Sequence, residues 1–132
     1  MAVEHMGNDV AERAIRIVKL TRDLDSAIRM LRSQLPAARP WQRALIALLD
    51  EADRRMQIVR MTELTEKPDD VIANAVADLA MACRRVGLAV QGSRAEAQVR
   101  ASAQSIGKSG DTLRKLVVEA VAALAADEQA PG

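Results

Sequence analysis

Few side chains in this 132-residue chain have the chemistry to act on a substrate. The one histidine, His5, sits in MAVEHMG, a stretch without helical periodicity that reads as a mobile tail over 1–8. The one cysteine, Cys83, falls on the apolar seam of a helical segment and reads as a small buried hydrophobe. A reactive thiol needs exposure and basic neighbours on its own face, and Arg84 and Arg85 point elsewhere at helical spacing. Metal sites in helical bundles use Glu-x-x-His pairs or inward carboxylates; no helical segment holds a histidine, and no seam of the first three carries a carboxylate. Gly107-Lys108-Ser109 invites a phosphate-loop reading, but Ser102 stands where that loop needs its first glycine, and no strand precedes it. Asp50, Glu51 and Asp53 adjoin Arg54 and Arg55, which reads as a mutually paired, solvated surface. The expectation is therefore no catalytic residue, no metal ligand and no cofactor, in a protein that is not an enzyme.

Arginines on the first helix open two other readings. The run Arg22-Asp-Leu-Asp-Ser-Ala-Ile-Arg-Met-Leu-Arg32 is loosely similar to the first helix of chorismate mutases of the helical type, a likeness that covers about one helix. That resemblance implies a small bundle enzyme that clamps a dicarboxylate between arginines, Arg22 and Arg29 among them. Arg13, Arg16, Lys19 and Arg22, with Arg39 and Arg43, could instead track a phosphate backbone as part of a nucleic-acid-associated subunit. Glu12, Asp23 and Asp25 dilute that field, and base-stacking aromatics are lacking. Both readings rank below an interaction role.

Composition bounds the class. Hydrophobic residues make up 49% and charged residues 28%, with net charge +1 and no uncharged apolar run near the ~20 residues of a membrane span. No basic segment leads into an apolar one at the N-terminus, and the single cysteine makes no internal disulfide. A soluble, cytoplasmic protein without membrane contact is the expectation. With no Phe, no Tyr and one Trp, the core must come from Leu, Ile, Val, Met and Ala. Each of these buries less area than an aromatic ring, so stability must come from long helix contacts.

Four seams with alternating steps of four and three supply those contacts. The first is Val10, Ala14, Ile17, Thr21, Leu24, Ile28, Leu31 and Leu35, opened by Asn8 or Asp9 and ended by Pro36. The second is Leu45, Leu49, Ala52, Met56 and Val59, opened by Pro40, with Trp41 packing over the bundle end. The third is Ile72, Val76, Leu79, Cys83, Val86 and Val90, opened by Asp69 and Asp70 and stopped by Gly92. The fourth is Val99, Ala103, Ile106, Gly110, Leu113, Val117, Ala120 and Leu124, opened by a Ser93–Glu96 capping pair. Beyond Leu113 this helix is apolar on most sides, so the others should wrap it. Its seam passes through Gly107 and Gly110 in phase, which favours one long helix over a break there. The predicted fold is all-α, an antiparallel up-and-down four-helix bundle of 10–35, 40–66, 69–91 and 93–126, one domain over 9–127 with a frayed 128–132.

Some apolar residues are left over from the seams. Ile58, Met61 and Leu64 lie off the second seam; Met81 and Leu88 lie opposite the third, flanked by Ala73, Ala80 and Gly87. A contiguous patch of that kind is more than a monomer usually exposes. The function expected is therefore a helical protein–protein interaction or adaptor module that self-associates, with these residues as the partner or homodimer face.

Overall fold

The structure is a computed structural model that describes residues 2–64 and 69–129. It consists of four helices: α1 (Ala2–Gln34), α2 (Pro40–Leu64), α3 (Asp69–Ala89) and α4 (Ala97–Gln129). No strand occurs among the described residues. Each helix packs on its two neighbours in the ring α1–α2–α3–α4, and among the described residues the backbones of the diagonal pairs do not approach closely. Short connections force neighbours to run antiparallel, so the bundle is up-and-down.

The seams form the core. Leu24, Ile28 and Leu31 of α1, the whole α2 seam from Leu45 to Val59, and Leu79, Cys83 and Val86 of α3 are buried. Ala103, Ile106 and Leu113 of α4 close it. Pro40 starts α2, where its missing N–H costs nothing, and Gln42 Oε1 accepts the N–H groups of Ala38 and Arg39. Trp41 is half-buried against the core. Gly92 ends α3 with φ +70°, the left-handed conformation that glycine adopts without penalty.

α4 is continuous through Gly107 and Gly110. Its glycines serve the α3 crossing: a methyl on Gly107 would lie 3.7 Å from Gly87 Cα, so the two backbones pass with little side chain between them. The start of α4 differs from expectation. The Ser93 hydroxyl donates to Val90 O at 2.9 Å and accepts the Ala95 N–H at 3.2 Å, so it serves the end of α3. Residues 94–96 cross over without helix, and the first turn begins with Arg100 N–H on Glu96 O.

The helix ends do not match, and this shapes one end of the bundle. Arg60 Nη1 lies 3.0 Å from Asp25 Oδ2. Asp25 has 23 helical residues before it, whereas Arg60 has four after it. α1 therefore outruns α2 by about 19 residues, roughly 28 Å at 1.5 Å per residue. On the other side Gly110 lies against Cys83, with 19 residues of α4 after the one and 14 of α3 before the other. α4 outruns α3 by about five residues, or ~7 Å. α1 itself begins at Ala2, ahead of the start near Asn8 that the seam suggested.

Candidate docking surface

The α1–α2 groove is where the arginines of the first helix lead. Arg32 Nε donates to Asp50 Oδ1 at 2.8 Å; Arg29 Nε lies 3.7 Å from Asp53 and 3.3 Å from Asp25. Asp25, nearly buried, is held by both Arg29 and Arg60. Glu51 takes Arg54 and Arg55, each at 2.9 Å. The acidic cluster of α2 is thus paired residue by residue, and Arg29 and Arg32 face protein carboxylates. Arg22 is exposed. The groove binds α1 to α2 and offers no set of converging free arginines.

Cys83 is fully buried beneath Gly110. Loss of solvation pushes its thiol up to about 12, and the Asp111 carboxylate adds to the rise. At neutral pH it is a thiol with no route to thiolate chemistry. Among the described residues no three of His, Cys, Asp and Glu gather as a metal site, and no helix is long and apolar enough to cross a membrane. The side chain of His5 lies outside the described residues.

The face expected on α2 and α3 is divided. Ala80 and Gly87 are buried against α4, at Gly110 and Gly107 respectively, because small residues there let α3 and α4 approach; they are not open to a partner. Ala73 is half-buried against the core. Met81 is exposed beside Arg55, Asp78 and Arg85 in the α2–α3 groove, and Leu88 beside Gln104 and Lys108 in the α3–α4 groove. Ile58 and Met61 are exposed in the last turns of α2, and Val71 in the first turn of α3. The side chain of Leu64 lies outside the described residues.

A second apolar surface, missed on the seams, lies at that same end. Leu113 is 1% exposed, but Leu124, on the same seam, is 44% exposed, because it stands level with the first residue of α3 and has only a helix end opposite it. The expectation that the other helices wrap α4 holds on one side only: Leu116 and Val117 are buried, but Val118 is exposed on the α3–α4 groove beside Arg114 and Lys115. On α1 the side facing α2 can be followed in steps of seven, which keep to one helix face. From Arg32 the steps reach Asp25, Val18 and Ala11; from Arg29 they reach Arg22 and Ile15. The row is charged where α2 covers it and apolar from Val18 to Ala11, before it reaches Glu4 in the sequence. Val18 is 57% exposed, Ile15 66%, and Ala11 and Ala14 are open as well. The signal was present in the sequence as this change of row character, but it means something only once the end of α2 is known.

Ile15 and Val18 of α1, Ile58 and Met61 of α2, Val71 of α3 and Leu124 of α4 thus lie towards the α2–α3 end of the bundle, and Val118 lies in the α3–α4 groove. Met30, Met81 and Leu88 are the exposed large apolar residues elsewhere among the described ones. No protein family, curated protein or solved structure matches the chain.

Proposed function

We propose that this chain is a non-catalytic helical interaction module that docks a helical protein partner at the α2–α3 turn end. One observation carries the reading: the lane beside α1 that α2 vacates is floored by Ala11, Ala14, Ile15 and Val18, an apolar helix face with no helix on it. Apolar surface of that extent marks a site of association. A helix in this lane would continue the packing that α2 provides higher up. The pairing of Arg29 and Arg32 with Asp53 and Asp50 supports a structural role for those arginines.

Solution mass tests it. The natively isolated protein should be heavier than one chain of 14.3 kDa, and the pair Val18→Asp with Leu124→Asp should return it to one chain with helical content unchanged. A wild-type mass of one chain at high concentration, with nothing bound, would contradict the proposal.

A second reading has its own observation. Arg84, Arg114 and Lys115 line one groove between α3 and α4, Lys108 stands beside it, and none of them makes an ion pair among the described residues. Asp111 and Glu119 lie in the same groove and halve its field. Retention on nucleic acid that falls steeply with salt, and is lost on Arg114→Ala with Lys115→Ala, would favour this reading.

A further inference from the structure

Residues 84–115, from the end of α3 into the middle of α4, carry seven basic and two acidic side chains, a net +5 in a chain whose total is +1. None of the seven makes an ion pair among the described residues, whereas Arg29, Arg32, Arg54, Arg55 and Arg60 each face a carboxylate. Four of the seven, Arg84, Lys108, Arg114 and Lys115, line the α3–α4 groove, and all four are exposed. From Gln104 to Glu119 the groove is about 22 Å long. Gly87 and Gly107 floor it with backbone.

Resting on the nucleic-acid reading above, we infer that this groove seats the phosphate backbone of a nucleic-acid duplex, held without regard to sequence. The cations stand in two pairs. A methyl on Gly107, next to Lys108, would lie 3.9 Å from Arg84 Cα, so Arg84 and Lys108 are about level across the groove. Arg114 and Lys115 follow on α4, about 10 Å further along the helix. Positive charge repeated along a track suits a polyanion better than a single phosphate. Asp111 between the pairs and Glu119 beyond them subtract from the field, so the seat is weak as well as unspecific.

The layout is the reverse of a protein interface, whose centre is apolar and whose rim is charged. The apolar residues here, Leu88 and Val118, stand towards opposite ends. Leu88 lies beside Gln104, which is 14 residues or ~21 Å from Val118 on α4. A single strand is held by bases stacked on aromatic rings. The one aromatic side chain, Trp41, is half-buried at the start of α2. Backbone contact alone remains, and a duplex presents one charge per about 1.7 Å of its axis.

Fluorescence anisotropy tests this between about 50 and 200 mM salt. The probes are a labelled DNA duplex of mixed sequence and one of its strands alone. The wild-type protein should bind the duplex more tightly than the strand. Log K should fall against log salt with a slope of about −3.6, four contacts at about −0.9 each. Arg114→Ala with Lys115→Ala, and separately Arg84→Ala with Lys108→Ala, should each bring the slope to about −1.8. Arg16→Ala with Lys19→Ala, on α1, should leave it as it is. A strand bound as tightly as the duplex would overturn the inference and leave the nucleic-acid reading standing. A slope unmoved by either groove pair, or no binding at the lowest salt, would overturn both. Poly-glutamate bound as tightly as the duplex would point to an acidic protein and also overturn both. The wild-type slope and the duplex-to-strand ratio decide even where a variant fails to fold.

Discussion

A methyl group placed on Gly110 would sit 2.8 Å from Cys83 Cβ and 3.4 Å from Ala80 Cα. That separation is closer than carbon atoms tolerate, and two of the three nearest atoms belong to the backbone or its first side-chain carbon. Gly110→Ala should therefore destabilise by about 1–3 kcal/mol through overpacking, although alanine is the better helix former by about 1 kcal/mol. Gly107→Ala has 3.5 Å to its nearest neighbour, an ordinary contact. It should be neutral or stabilising by up to ~1 kcal/mol. Urea unfolding of the two variants beside the wild type checks the pair.

Asp25 ties α1 to α2 through Arg29 and Arg60 while its own side chain is 10% exposed. Asp25→Ala removes a nearly buried acceptor of charged donors and should cost about 1–3 kcal/mol. Arg29 is mostly in solvent, so Arg29→Ala should cost less than ~1 kcal/mol. Chemical denaturation that ranks the two the other way would show that the α1–α2 groove is held by something other than Asp25.

Cys83 sets an alkaline limit on stability. The folded thiol keeps its proton to about 12, against an ordinary 9.0 in the unfolded chain. Between those values the unfolded state binds fewer protons, so stability falls as pH rises through that window. Below pH 9 the contribution is fully present. The slope from this group approaches about 1.4 kcal/mol per pH unit. Unfolding free energies at pH 8 and pH 10.5 should therefore drop more in the wild type than in Cys83→Ala.

Much of the bundle was legible because seam spacing reports directly on burial. The row Leu45, Leu49, Ala52, Met56 and Val59 is buried throughout, and the in-phase seam correctly carried α4 through its two glycines. What spacing does not report is how far a neighbour reaches. Leu124 holds the same seam phase as Leu113, and it is open because it stands level with the first residue of α3, where the helix opposite begins. The partner face shows a related limit. The offset of Ala80 and Gly87 from the α3 seam points to an outer side, but the matching small residues, Gly107 and Gly110, sit on α4 and draw that side inward. Ser93 fails as a cap because its hydroxyl turns back to Val90 O, three residues earlier, and closes α3 instead of opening α4.

The central claim is that the row at Val18 is covered in solution by a docked helix, and the rate of thiol modification at that position reads it most directly. Val18→Cys and Met30→Cys place a thiol at two exposed α1 positions, 57% and 61% open in the single chain, and the buried Cys83 stays silent. In the natively isolated protein at high concentration, the thiol of Val18→Cys should react at least about tenfold more slowly than that of Met30→Cys, as a site largely covered by a partner does. The two rates should converge on dilution or when Leu124→Asp is added. Equal rates at every concentration would mean that nothing docks beside α1, and would contradict the account.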